Sequence, residues 1–109
     1  MNIDEYQKLA ERTMNKELRF EDTELHAICG IASEAGEVLA LYQKMVQHMD
    51  GCVCMESLVE ELGDLLWFVA ELCTIYDIKM SEVCDKNIKK LYGRYPAGFD
   101  VERSINRDA

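Results

Sequence analysis

Apolar residues recur every three or four positions in four successive segments of this chain, which is the spacing of one face of an α-helix. One proline and six glycines among 109 residues leave few helix breakers, which favours long helices over a fold with many turns. The pattern predicts an all-α fold. Its four helices run from Ile3 to about Asn15, from about Thr23 to between His48 and Asp50, from Met55 to Tyr76, and from an N-cap at Ser81 to the residues before Pro96.

The third predicted helix differs from the others because residues 65–70 are apolar around nearly its whole circumference. A helix of this kind is buried on several sides. One four-helix unit covers only one side of each helix, and the uncovered apolar surface would exceed what soluble monomers usually expose. We therefore predict a single four-helix bundle-like domain over residues 1–109 that forms a homo-oligomer. Its polar tail, about residues 97–109, would extend over a surface or a neighbouring chain.

The charge excludes some partners. The net charge of −9 argues against binding to a nucleic-acid backbone, which requires basic patches.

No signal peptide or membrane-spanning apolar run is visible, so we expect a cytoplasmic protein without a membrane partner. Five cysteines without a C-x-x-C pair fit reduced thiols in such a compartment. Residues 20–78 hold twelve acids and one base, whereas residues 79–109 hold seven bases and five acids. This division would suit a metal-bound polyphosphate.

Two matched acidic motifs carry the chemistry that we predict. The second helix contains Glu34-Ala-Gly-Glu37 and the third contains Glu61-Leu-Gly-Asp64. Residues three apart share a helix face, so each helix presents a pair of carboxylates. If the two helices form an antiparallel hairpin, the pairs meet and repel one another without a cation. Hard oxygen ligands of this kind suit Mg²⁺, and Mn²⁺ accepts the same ligands.

The alternative is a solvated acidic face, on which i,i+4 basic partners are usual. No lysine or arginine lies within four residues of any of the four acids, and their neighbours are mostly apolar. We therefore favour a metal site. Glu60 is a candidate fifth ligand, whereas Glu56 and Glu71 are predicted to be solvated. The two mid-helix glycines, each costing roughly 1 kcal/mol relative to alanine, suggest that something approaches the backbone closely.

At these residues the chain resembles the MazG-like nucleotide pyrophosphohydrolases of the all-α NTP pyrophosphatase superfamily, whose signature is E-E-x-x-E, a spacer, and E-x-x-D. Ser33 stands where the signature has its first glutamate, which puts the number of metals in doubt. The resemblance spans nearly the whole chain. Its further motifs are Asn87-Ile-Lys-Lys90-Leu followed by Arg94-Tyr95, the Tyr-Pro-x-Gly-Phe stretch at 95–99, and Glu102-Arg103-Ser104.

The resemblance implies a reaction in which a (d)NTP and water give a (d)NMP and pyrophosphate. The metal ligands would be Glu34, Glu37, Glu61 and Asp64, and either Glu34 or Glu37 would orient or deprotonate the water. It also implies a dimer or a tetramer whose subunits contribute to one another's sites, and we expect a tetramer, built as a dimer of dimers, in preference to a simple dimer. The residues that would contact phosphate or sugar are Asn87, Lys90 and Arg94, which share one face of the fourth helix.

Several other interpretations stay open. Trp67 and Phe68 either stack on a base or pack in the core, and core packing is favoured. His48, Asp50, Cys52 and Cys54 match no common zinc spacing. The chain could also be a non-catalytic oligomeric helical module with a vestigial metal site, or an enzyme like phosphoribosyl-ATP pyrophosphohydrolase. A di-iron bundle is disfavoured because Glu-x-x-His motifs are absent.

Overall fold

The computed structural model describes residues 1–48 and 51–107, and these residues form five helices and no strand. The all-helical prediction is confirmed. Met49 and Asp50 at the predicted end of the second helix, and Asp108 and Ala109 of the tail, lie outside the described residues. The helices are α1 (Ile3–Glu11), α2 (Phe20–His48), α3 (Met55–Ile75), α4 (Met80–Arg94) and α5 (Val101–Ile105).

Helix α1 begins as its sequence predicts and ends earlier than expected. The side chain of Asn2 accepts a hydrogen bond from the Glu5 backbone amide, and the Glu5 side chain accepts one from the Asn2 amide, which completes a capping box. After Glu11 the backbone amide of Met14 bonds to the carbonyl three residues back, and the chain tightens into a turn. The predicted end at Asn15 was therefore wrong by one helical turn.

Helix α2 begins at Phe20, before the predicted start at Thr23. Thr23 is buried, and its hydroxyl donates to the backbone carbonyl of Arg19 at 3.2 Å instead of capping the helix. Arg19 also pairs with Asp22 at 3.2 Å across the first turn. These contacts extend the helix by three residues at its N-terminus, where acidic side chains are favoured.

Helix α4 is held by side chains of α1. The prediction that Ser81 caps this helix was wrong, because Ser81 lies inside it and Lys79 occupies the N-cap position. The Ser81 hydroxyl and backbone amide donate to the Asp4 carboxylate at 2.7 and 3.1 Å. Gln7 Oε1 accepts from the backbone amide of Met80 at 2.8 Å. Two side chains of α1 thus satisfy the free amides at the start of α4.

Helices α2 and α3 pack against each other over the largest helix–helix contact of the described chain. At Gly30 the side chain of Phe68 from α3 packs directly against the backbone of α2. A Cβ atom built on this buried glycine would fall 2.1 Å from Phe68 Cδ1, so no larger residue fits there without movement of the ring. Helix α1 packs on α3 and on α4, and a small core forms where these helices meet. It contains Ala10, Ala70, Cys73 and Met80.

The described chain is open rather than closely packed. Its radius of gyration is 17.3 Å, against about 13 Å expected for a compact domain of this length. Many large apolar side chains are exposed on α2, α3 and α4, among them Leu25 at 62%, Val59 at 69% and Tyr92 at 68%. The four predicted helices are present as α1 to α4. Helix α4 packs more against α1 than against the pair formed by α2 and α3. The short helix α5, capped by Asp100, was not predicted within the tail.

None of the described helices combines the length and the apolar character that crossing a membrane requires.

Candidate metal centre

Three carboxylates converge between α2 and α3. Glu34 from α2 meets Glu61 and Asp64 from α3, and one oxygen of each lies within 4.8 Å of the others. We call these three residues the carboxylate cluster. Glu61 and Asp64 lie one turn apart on α3, so the same helix face presents both. The predicted meeting of the two acidic motifs therefore occurs in the structure for three of the four acids.

Glu37 is the fourth acid, and it lies outside the carboxylate cluster. Its side chain is exposed, as is that of Glu60. It is nevertheless close enough for its charge to act on Glu61. The pKa of Glu61 is raised above its usual range, first by burial, then by a hydrogen bond with Glu34, and then by the charges of Glu34, Glu37 and Asp64. The site concentrates negative charge and thereby disfavours ionisation of Glu61.

The oxygens of the carboxylate cluster lack cationic partners within the described chain. The ion pairs between described residues are Arg19–Asp22 and His26–Glu71, and neither includes a cluster member. One oxygen of Glu34, Oε2, is buried and has no hydrogen-bond donor among the described residues. A buried carboxylate oxygen without a donor costs free energy unless a cation or another donor satisfies it. Hard carboxylate oxygens around this atom fit a divalent cation such as Mg²⁺.

An open cavity of about 410 Å³ adjoins the carboxylate cluster, and it is lined by Glu34, Asp64, Trp67 and Phe68. Because Trp67 and Phe68 follow Asp64 by three and four positions, all three share one side of α3. The two rings stand edge to face, with centroids 5.1 Å apart. We call them the aromatic wall. Trp67 packs against the small core and Phe68 against Gly30, as the favoured prediction of core packing expects, and both rings also face the cavity beside the carboxylates.

The glycines of the two acidic motifs do not have the role that we expected within one chain. A Cβ atom on Gly36 or on Gly63 would meet no atom of the described chain within 4 Å. The close approach that mid-helix glycine permits occurs instead at Gly30, one turn before Glu34. There the ring of Phe68 fills the space.

The structure does not bring the predicted phosphate-binding residues of α4 into the carboxylate cavity. Asn87 and Lys90 line a separate cavity of about 690 Å³, together with Ile78, Glu82, Val83 and Lys86. Arg94 lines a third cavity of about 460 Å³, together with Arg103 of α5 and Arg107. The predicted shared face holds for Asn87 and Lys90, whereas Arg94 borders a different part of the surface.

Sequence reasoning missed a buried ion pair beside the aromatic wall. Glu71, predicted to be solvated, has a side chain that is only 2% exposed, and its Oε1 lies 2.7 Å from His26 Nδ1. A buried carboxyl group without a hydrogen-bond partner would cost free energy, and His26 supplies that partner. Spacing could have revealed both residues. His26 precedes Glu34 by eight positions and Glu71 follows Asp64 by seven, so both lie two turns along the faces that carry the carboxylates.

A zinc site near the start of α3 is not supported by the described residues. Their only group of three or more potential metal ligands is the carboxylate cluster, and Asp50 lies outside the described chain. Cys52 and Cys54 are exposed free thiols. Hydrogen bonds from the side chain and backbone of Ser57 lower the pKa of the Cys54 thiol.

Comparisons with known proteins agree with the geometry. Residues 22–99, which contain both acidic motifs and all of α4, match the family model described as "MazG nucleotide pyrophosphohydrolase domain". The "Gene 37 protein" of Mycobacterium phage L5 is 36% identical over 81 residues, which cover 72% of this chain and 71% of the relative. No solved structure matches the chain significantly. With a family match over most of its length, this chain belongs to the MazG nucleotide pyrophosphohydrolase family.

Proposed function

We propose that the protein is a metal-dependent pyrophosphohydrolase that converts a nucleoside or deoxynucleoside triphosphate to the monophosphate and pyrophosphate. The observation that carries this proposal is the convergence of Glu34, Glu61 and Asp64, in which a buried oxygen of Glu34 has no donor among the described residues. Membership of the family supports the same reaction. A site of this charge attracts a divalent cation, and a triphosphate brings a matching negative charge to that cation.

The four acidic residues would bind the metal, and one of them would also accept a proton in the proposed reaction. Glu34, Glu61 and Asp64 would hold Mg²⁺, with Mn²⁺ as the alternative, and Glu37 would complete the set when substrate binds. When bound, the cation would neutralise negative charge on the phosphates and lower the pKa of a water molecule. Glu37 is exposed beside the cluster, so it can accept the proton of the attacking water, with Glu34 as the alternative base. The water oxygen bonds to phosphorus, the α–β anhydride bond breaks, and pyrophosphate leaves.

The aromatic wall suggests where the nucleoside lies. Trp67 and Phe68 share their cavity with Glu34 and Asp64, so a base stacked there would hold its phosphates toward the carboxylates. Aromatic side chains stack on every base and hence favour no particular one. The contacts of Asn87, Lys90 and Arg94 with phosphate or sugar remain part of the proposal, and they would require α4 of a neighbouring subunit.

We propose a homo-oligomer, with a tetramer built as a dimer of dimers preferred to a dimer. The exposed apolar residues of α2, α3 and α4 support it, because they would leave a large apolar surface uncovered in a single chain. Closed symmetric association is the commonest way to cover such a surface. The five cysteines are all free thiols. They support a reducing compartment, and we propose the cytoplasm.

The test measures pyrophosphate release from a panel of NTPs and dNTPs, with Mg²⁺ or Mn²⁺ and after treatment with a chelator. We expect release that requires the cation. Asp64→Asn should lower kcat by about a hundredfold or more, because it removes a ligand that acts on the transition state. Glu56→Gln, at an exposed acid in the first turn of α3, is the matched control and should keep wild-type activity.

Two outcomes would overturn the proposal. Undiminished release by Asp64→Asn would show that the carboxylate cluster is not the active site. No release from any substrate, together with no Mg²⁺-dependent rise in the unfolding midpoint, would indicate a non-catalytic helical module. Phosphoribosyl-ATP belongs in the panel, and faster turnover of it than of every NTP would assign the other enzyme class.

A further inference from the structure

The pair of half-exposed His26 and buried Glu71 has no part in the reaction as proposed, yet the His26 ring lies against the aromatic wall. His26 is on α2 and Glu71 is on α3, so the pair joins the two helices that carry the carboxylates. The only hydrogen bond of the Glu71 carboxylate within the described chain is the one with His26 Nδ1, at 2.7 Å. This hydrogen bond ties Nδ1 to Glu71 Oε1 and so fixes the orientation of the imidazole ring.

The ring of His26 contacts both members of the aromatic wall. Its centroid lies 5.3 Å from that of Phe68 and 6.3 Å from that of Trp67. The Phe68 ring also packs against the backbone of Gly30, and Trp67 Nε1 donates to Thr13 Oγ1 at 2.8 Å. Each ring of the wall therefore contacts His26 and the other ring, and each has a further partner in α1 or α2.

Packing alone does not explain the pair. Two apolar side chains of similar volume would fill the same space without the cost of burying a carboxylate. The hydrogen bond between His26 and Glu71 does what two apolar side chains could not do: it fixes the rotation of the imidazole ring. The fixed imidazole in turn holds the two rings of the aromatic wall in position. The half-exposed side chain of His26, at 49%, also places this ring at the border between the core and the solvent.

We propose that His26, oriented by Glu71, is a positioning residue that sets the aromatic wall in place for the nucleoside of the substrate. This inference rests on the proposed function, in which the wall receives the nucleoside. His26 acts through Trp67 and Phe68 and has no contact with the carboxylate cluster. Its loss should therefore weaken binding of the nucleoside part more than it slows the reaction of bound substrate.

The test compares His26→Ala with His48→Ala, a variant of the chain's other histidine, which is exposed at the end of α2. We expect His26→Ala to raise KM for a (d)NTP by about tenfold, the scale of one lost stacking contact, and to change kcat less than threefold. His26→Asn is the conservative variant, since its amide nitrogen takes the place of Nδ1 and can donate to Glu71. It should recover at least part of the loss in KM.

A spectroscopic measurement gives a second readout that does not depend on activity. Trp67 is the single tryptophan of the chain, so its fluorescence reports on the aromatic wall alone. In the protein without substrate, His26→Ala should make this emission measurably easier to quench with acrylamide, whereas His48→Ala should match the wild type. His26→Asn keeps a donor to Glu71 but lacks the ring that contacts the wall, so its quenching should lie between those of His26→Ala and the wild type. Unchanged quenching in His26→Ala would overturn the proposal even if the wild type proved to have no pyrophosphohydrolase activity.

Loss of the buried pair could instead unfold the protein, so a second variant separates stability from positioning. The double variant His26→Leu/Glu71→Leu removes both polar partners together and leaves no unpaired buried charge. We expect it to fold, with its Trp67 quenching and its KM both raised as in His26→Ala. If this folded double variant retains wild-type KM and quenching, the pair has no positioning role. Failure of the proposed function appears separately, as the absence of pyrophosphate release in the wild type.

Discussion

Substitution of Gly30 by alanine tests whether the approach of α2 to α3 depends on this glycine. The added Cβ atom would lie 2.1, 2.3 and 2.4 Å from three carbon atoms of the Phe68 ring, far inside van der Waals contact. The ring cannot swing away freely, because it also packs against His26 and Trp67. Either the helices must separate or the ring must leave its place beside the carboxylates.

The magnitude follows from two opposing terms. Alanine is the better helix former by roughly 1 kcal/mol in a helix interior. Overpacking a contact of this kind costs about 1–3 kcal/mol. Gly36 supplies the matched control, since it lies in the same helix and an added Cβ meets nothing within 4 Å. Both substitutions gain the same helix propensity, so only the overpacking at Phe68 distinguishes them. Gly30→Ala should therefore be less stable than Gly36→Ala by about 1–3 kcal/mol.

The assay is urea unfolding of the metal-free protein, followed by far-ultraviolet circular dichroism, at several protein concentrations because oligomers gain stability with concentration. We expect Gly36→Ala to unfold at higher urea than the wild type, and Gly30→Ala at lower urea than Gly36→Ala. The reverse order, or equal midpoints for the two variants, would refute the tight contact between Gly30 and Phe68. Gly30→Ala should also lose part of the stabilisation by Mg²⁺, because Glu34 lies one turn along the same helix.

Three further predictions concern charge. Glu61→Gln should raise the thermal unfolding midpoint of the metal-free protein, because it removes a charge that its neighbours repel. It should also diminish the increase in this midpoint that Mg²⁺ causes, because it removes a ligand. Calorimetric scans with and without the cation check both results. The pKa of Glu61 is raised in the folded state, so the folded protein binds this proton more tightly than the unfolded chain does. The metal-free wild type should therefore gain stability as the pH falls from 7 toward about 4.3. Unfolding measured over a series of pH values should show a smaller gain for Glu61→Gln. Hydrogen bonds from Ser81 lower the pKa of Asp4, so its stabilising effect is present above about pH 3.9 and is lost as the pH falls through the lowered value. Asp4→Asn should accordingly unfold at lower urea than the wild type at pH 7, and the difference should vanish in acid.

The helices could be predicted from the sequence because they depend on local spacing and on capping side chains. The capping box of Asn2 and Glu5 lies within four residues and forms as expected. The start of α4 was misplaced because its free amides are satisfied by Asp4 and Gln7, which are more than seventy positions away in the chain. A local rule assigned the cap to Ser81, but the serine donates to α1 instead.

The carboxylate cluster was predictable for a similar reason, since two acidic motifs with one spacing form matching faces when their helices pair. The register of the pairing was not predictable. The structure sets Glu34 near Asp64, Gly30 against Phe68, and His26 against Glu71, so each turn toward the start of α2 matches a turn toward the end of α3. This register buries Glu71, whereas its sequence neighbours alone suggested an exposed acid.

The placement of α4 leads to a last prediction, that one active site draws on two chains. Lys90 lines a cavity that contains no member of the carboxylate cluster, while a bound triphosphate would need cationic groups near Glu34 and Asp64. If a neighbour supplies Lys90, then Asp64→Asn and Lys90→Ala should each be inactive alone but recover activity when co-expressed. Random pairing in a two-fold assembly leaves one intact site in each mixed pair, which gives about a quarter of wild-type activity. Mixed oligomers that form, as native mass spectrometry would show, and yet stay inactive would place the whole site within one chain.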